Sequence, residues 1–139
     1  EEPLSVSALH LIGALGPAGA GHAARLEQLL PGLSTWATLG AARSHWEITG
    51  AARPGGQALA GLLADLDQGR PAVNADLRAL RQIAAMGFVD PALISVLGYL
   101  VRTEVRVTGP EGGWRGIDLD EAMAGIARRM LDAGAGACP

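Results

Sequence analysis

Lysine is absent from this chain, and all eleven of its basic residues are arginine. Set against fourteen acidic residues, they leave a formal charge of −3 and an isoelectric point near 5.5. A duplex-binding protein needs a basic footprint to neutralise phosphates, so no nucleic-acid partner is expected. Cysteine is nearly absent too. With Cys138 as the single thiol no internal disulfide can form, and a reducing, cytoplasmic setting is the expectation. Aromatic residues make up only 4% of the chain and β-branched residues are few, so strands lack their usual formers. No apolar run approaches membrane-spanning length, and the N-terminus shows no basic region followed by an apolar one, so no membrane association is expected.

What fills the chain instead is Ala, Leu and Gly. Nearly half of the 139 residues are apolar and charge is sparse, which places the chain among globular proteins with a sizeable core in one domain. The residues that dominate it suit closely packed helices. Richness in Ala, Gly and Arg without lysine also reads as the codon usage of a GC-rich genome, which carries no functional content.

An internal repeat gives the strongest signal. "GALGP" at 13–17, "GAARP" at 50–54 and "GFVDP" at 87–91 share the pattern G-x-x-x-P, offset by 37 residues at both steps (from 13 to 50, and from 50 to 87). The same shift superposes Leu9, Trp46 and Ile83 upstream, and Leu26, Leu63 and Leu100 downstream, so Trp46 is expected in the core. It also aligns Ala23, Ala60 and Leu97, and it sets Ala24, Gly61 and Gly98 in a column of small residues where helices could approach closely. Glycine accepts the left-handed conformation that ends a helix, and proline is tolerated in a first helical turn. Each G-x-x-x-P therefore says: stop one helix, turn, start the next. Leu93, Val96, Leu97 and Leu100 follow an i, i+3, i+4, i+7 spacing, as do Leu59, Leu62, Leu63 and Leu66. Leu39, Ala42, Trp46 and Thr49, then Leu77, Leu80, Ile83 and Ala84, mark the preceding helices.

The reading is all-α: three helical hairpins covering about 4–30, 33–67 and 72–103. They pair 4–14 with 17–30, 33–49 with 54–67, and 72–86 with 91–103. A single hairpin cannot cover its own apolar face, so the units are expected to stack into an α-α superhelix within one domain, 1–139. Residues 104–133 read as a loop, with an extended stretch at Val105 to Val107, followed by a capping helix from near Asp118; 134–139 read as a flexible tail. Leu119, Met123, Ile126 and Met130 would form the capping helix's apolar stripe. Asp120 and Glu121 near its start and Arg128 and Arg129 near its end would complement its dipole.

On these residues the chain resembles the short bacterial HEAT repeats, including the PBS-lyase HEAT-like group. Their unit runs A-A-x-x-L-x-x-I-G, a short turn with proline, then A-L-x-x-L-x-x-L-L. "AARSHWEITGAARPGGQALAGLLADL" at 41–66 follows it most closely, then "LRALRQIAAMGFVDPALISVLGYL" at 77–100 and "ALHLIGALGPAGAGHAARLEQLL" at 8–30. Where the family often places Asp and Val-Arg at the first helix, this chain has "STWATL" and "PAVNADL". The resemblance implies a HEAT/armadillo-like α-solenoid. It does not imply a function.

Chemistry is sparse. His10, His22 and His45 show no metal-ligand spacing and read as incidental surface or groove residues. Cys138 lies in a Gly-rich tail with no activating helix end, and no G-x-S-x-G is present. "GPAGAG" at 16–21 and "GPEGGWRG" at 109–116 lack the strand–loop–helix setting of a phosphate loop. Asp118, Asp120 and Glu121 read as helix-start acids. No catalytic residue, metal or cofactor is expected.

The expectation is thus a non-catalytic interaction scaffold with a protein or peptide partner. In HEAT solenoids the second helix of each hairpin lines the concave face, and the 37-residue alignment then names Arg25, Leu62 and Tyr99 in one column and Gln28, Asp65 and Arg102 in its neighbour. Arg and Tyr are enriched in interface hot spots. Leu62 equally belongs to its helix's apolar stripe, and the polar members equally suit a solvated face. The alternative is a HEAT-like enzyme or enzyme subunit, DNA glycosylase-like or chromophore lyase-like. A continuous basic groove holding a buried acid would favour the enzyme.

Overall fold

A computed structural model of the chain describes residues 6–103, 107–108 and 115–135. Among them the chain is all-helical apart from one two-residue ladder. The α-helices are α1 (Val6–Ala14), α2 (Ala23–Leu29), α3 (Thr35–Thr49), α4 (Ala52–Leu63), α5 (Asn74–Met86), α6 (Pro91–Arg102) and α7 (Arg115–Ala135). The chain divides into two compact units, Glu1–Leu59 and Ala60–Pro139, and the division falls inside α4. No described helix is long and apolar enough to cross a membrane.

Two copies of the repeat's punctuation fold as their residues dictate. Gly50 (φ 69°) ends α3 and Gly87 (φ 64°) ends α5, both in the left-handed region that glycine reaches without Cβ strain. Pro91 opens α6 behind Asp90, whose side chain accepts the Leu93 N–H at 2.8 Å. The first copy behaves differently. Gly13 lies buried inside α1, and the left-handed residue is Gly16 (φ 51°). The segment expected as one helix at 17–30 is a 3-10 helix over Gly16–His22 followed by the short α2. Three glycines and a proline in seven residues explain this, since each glycine costs a helix roughly 1 kcal/mol relative to alanine.

In the first unit α3 is the central element, with α1, the 3-10 helix and α2 all packed on it. Small residues permit this. A Cβ on Gly13 would lie 2.6 Å from Ser44 Oγ, and one on Gly19 would lie 3.1 Å from Ile48 Cδ1. Ser44 Oγ, fully buried, donates to the Leu9 carbonyl at 2.6 Å and so links α1 to α3. The buried residues of α3 are mainly Ala37 to Ala42, Ser44, His45 and Ile48. Trp46, expected in the core, is only half-buried. Helix α3 packs small residues on several sides, so the single stripe of Leu39, Ala42, Trp46 and Thr49 misplaces its phase.

In the second unit α5 and α6 both pack against α7. The expected stripes are mostly buried: Leu77, Leu80 and Ile83 on α5, Leu93, Val96, Leu97 and Leu100 on α6, and Met123, Ile126 and Met130 on α7, while Ala84 and Leu119 are half-buried. Helix α7 begins at Arg115 rather than near Asp118. It continues past Arg128 and Arg129 to Ala135, so its last turn carries no basic residue. Strand β1 (Ala72–Val73) pairs in parallel with β2 (Val107–Thr108), aligning Ala72 with Val107 and Val73 with Thr108. An ion pair braces the entry to α5. Arg70 donates to both carboxylate oxygens of buried Asp76 (3.0 and 2.9 Å) and to the Leu62 carbonyl (2.8 Å), while Asp76 also accepts the Val73 N–H at 2.7 Å. The Asp76 carboxylate holds the Arg70 guanidinium above its ordinary pKa despite partial burial, and Asp65 adds to the effect.

The column of small residues does not mark close approach. Ala24 and Gly61 are exposed, a Cβ on Gly61 would meet open space, and the atoms nearest to one on Gly98 would be those of its own helix's Arg102. The remainder of the 104–114 loop, including Trp114, and the tail from 136 with Cys138 lie outside the described residues.

Candidate functional site

The site candidate lies in the second unit, where the C-terminal half of α5, the turn after it and the C-terminal half of α7 enclose a surface groove of about 610 Å³. That volume is in the range of ligand and side-chain pockets. Each wall has a local cause. At the end of α5 the Gly87 N–H donates to the Ala84 carbonyl (3.1 Å) and the Phe88 N–H to the Ile83 carbonyl (3.2 Å). This is the paired bonding of a Schellman cap. Asp90 caps α6 two residues later, so Phe88 and Val89 are held between two capping residues and form one lip. Opposite, α7 contributes Ile126, Arg129, Met130, Ala133 and Gly134, an i, i+3, i+4, i+7, i+8 stripe along one helix face. Ile126 and Met130 are buried, while Arg129, Ala133 and Gly134 are exposed. Gly134 passes close to the lip: a Cβ on it would lie 4.0 Å from Val89 Cγ1.

Among the described residues two charged side chains line the groove, Arg81 on α5 and Arg129 on α7, and no carboxylate does. Both arginines are exposed, and neither forms an ion pair among the described residues. The rest of the lining is apolar side chain or glycine. Such a surface offers an apolar seat and fixed positive charge. Among the described residues it offers no nucleophile and no general base.

The ladder expected from the repeat lies elsewhere. Arg25 and Gln28 are exposed on α2, in the first unit. The other four belong to the second. Leu62 is half-buried at the end of α4, and its carbonyl accepts from Arg70. Asp65 is exposed in the following turn, where its carbonyl accepts from the Gln68 and Arg70 N–H groups. Tyr99 is half-buried and Arg102 exposed on α6, and the Arg102 guanidinium lies back over Gly98. None of the six lines the groove.

The histidines separate. His10 and His22 are exposed, but His45, expected at the surface or in a groove, is buried on α3. Its Nε2 stands 3.7 Å from Glu27 Oε2, and its carbonyl accepts from Thr49 Oγ1 at 2.7 Å. Among the described residues no group of three or more His, Cys, Asp or Glu side chains is placed to hold a metal.

The sequence did hold one trace of the groove. Phe88, the only phenylalanine, and Val89 occupy the positions where the second repeat copy has Ala51 and Ala52. Reading G-x-x-x-P purely as punctuation passes over two large apolar residues inside it. The α7 wall has no counterpart in the repeat.

No family model, curated protein or solved structure matches the chain.

Proposed function

We propose that this chain is a non-catalytic binding module built of HEAT-like helical hairpins, and that it holds a protein or peptide partner in the groove between α5 and α7. The observation that carries this reading is the groove's composition: an apolar floor and lip with two arginines that form no ion pair among the described residues. Interfaces concentrate their energy in this mixture of buried apolar anchors and arginine. Support for the hairpin architecture comes from the left-handed glycines at 50 and 87, one repeat length apart, each ending a first helix before the second begins. The tail helix α7, packed on α5 and α6, suits the role of a cap over the last hairpin. Against the enzymatic alternative, no acid among the described residues lines the groove as a glycosylase would need, and the buried Asp76 of this unit is held in its ion pair with Arg70.

The reading is tested by selecting binders from an unbiased displayed peptide library and mapping them by ¹⁵N–¹H chemical-shift perturbation. Shifts should cluster at Arg81, Ala84, Phe88, Val89, Arg129 and Ala133. Shifts confined to Arg25, Gln28, Leu62, Asp65, Tyr99 and Arg102 would move the site to the second-helix ladder. A library that yields no binder would remove the reading.

A further inference from the structure

The groove's lining also constrains what can occupy it. An extended segment laid into it would bury backbone N–H and C=O groups, and each needs a partner once removed from water. The described lining supplies almost none: its polar side chains are the two arginines, and the Gly87 and Phe88 N–H groups are already spent on the α5 cap. Strand addition has no free edge in this lining either, because its walls are two helices and a capped turn. A helix brings its backbone bonds already satisfied and presents only side chains. The geometry therefore favours a helical guest.

Charge selects among helices. Overall the chain carries −3, so an acidic partner is repelled by most of the molecule, yet both charged side chains in the groove's described lining are cationic. Arginine binds carboxylate through two parallel hydrogen bonds, and Arg70 does so with Asp76 in this same unit. The carbonyl ends of α5 and α7 are negative, but that influence fades within one turn, and Arg81 and Arg129 stand more than a turn before Met86 and Ala135.

We propose that the groove receives an acidic amphipathic helix from a partner protein. The guest's apolar side chains would seat on Ala84, Phe88, Val89 and Met130, and its Asp or Glu carboxylates would pair with Arg81 and Arg129. This rests on the groove being a peptide site, as proposed above, and adds the partner's conformation and charge.

The test uses two fluorescein-labelled synthetic helices of about five turns, long enough to hold helical structure alone. Both carry the same leucine stripe, flanked by glutamates in one and by lysines in the other. Fluorescence anisotropy is read against the full chain, the double variant Arg81→Glu/Arg129→Glu, and Ala133→Trp, which fills the groove from an exposed position. Circular dichroism checks that each variant keeps its helix content. The glutamate helix should bind the parent chain about tenfold more tightly than the lysine helix, the preference should weaken with salt, and the double variant should invert it. A variant that merely fails to fold would lose both helices and invert nothing.

Equal binding of the two helices, or a ranking unchanged in the double variant, overturns the inference. If Ala133→Trp still weakens both helices, the peptide site survives and only its charge preference is lost. If neither helix binds, or Ala133→Trp changes nothing, the peptide-site reading falls as well. Dodecanoate shifting the Phe88 and Ala133 amides while neither helix binds would assign the groove to a small amphiphile. A dimer in gel filtration that Arg81→Glu/Arg129→Glu dissociates would assign it to a second copy. Either result overturns the proposal.

Discussion

Gly13 sits where α1 crosses α3, and a Cβ there would lie 2.5 Å from Glu47 Oε2, 2.6 Å from Ser44 Oγ and 3.0 Å from Ser44 Cα. The Ser44 backbone cannot step aside as a flexible side chain tip can, and Ser44 Oγ is already committed to the Leu9 carbonyl. Gly13→Val should therefore push the two helices apart and cost about 3 kcal/mol, the upper part of the usual overpacking range. Urea denaturation followed by circular dichroism reads this directly, and a cost under about 0.5 kcal/mol, the size of ordinary surface effects, would show that the helices cross less tightly. A second residue-scale comparison separates the two large apolar groups near the end of α3. Ile48 is buried and Trp46 only half so. Ile48→Ala should cost about 3 kcal/mol, within the core range, and Trp46→Ala less despite removing the larger side chain. The reverse order in chemical denaturation would restore Trp46 to the core.

At the scale of elements, left-handed and open glycines make opposite predictions. Gly87 terminates α5 at φ 64° and positions Phe88, so Gly87→Ala should destabilise by about 1–2 kcal/mol through the left-handed penalty. Gly61 lies inside α4 with open space beyond its Cα, so Gly61→Ala should stabilise by about 0.5–1 kcal/mol. Thermal melts of the two variants should shift in opposite directions; a shared direction would show that one of these backbone assignments is wrong. These elements also show how far the sequence could be read. Helices α3, α5 and α6 fall within two residues of their expected limits, because capping glycine, proline and apolar spacing agree there. In the first hairpin only the second helix was illegible, because "GPAGAG" meets the same glycine–proline rule with too many glycines, and a 3-10 helix won. The ion pair of Arg70 with Asp76 joins a linker to a helix start, and no periodicity announces such a contact. The groove was missed for a related reason: its lip lies inside a turn motif, and its other wall comes from α7, which the repeat does not include.

For the whole molecule, the question is whether its two compact units behave as one cooperative body. The division between Leu59 and Ala60 falls inside α4, so each unit holds part of that helix. Unfolding either unit alone would have to break that helix in its interior and leave its backbone groups to water. The first unit, residues 1–59, is also near the size at which an isolated domain becomes marginal, since chains of about 60 residues bury only about 60% of their unfolded surface. Both considerations favour a single transition. Trp36 and Trp46 report on the first unit, and replacing Trp114 by phenylalanine removes the third indole from the signal. In that Trp114→Phe background, urea unfolding followed by tryptophan fluorescence should coincide with unfolding followed by circular dichroism, which reads helices throughout the chain. Ala60→Pro, which deletes a hydrogen bond in the interior of α4 and should cost about 3 kcal/mol, then serves as the perturbation. If α4 couples the units, this variant lowers both midpoints together. If fluorescence and circular dichroism separate in the parent chain, the units fold independently, and the stability of the groove in the second unit would not depend on the first.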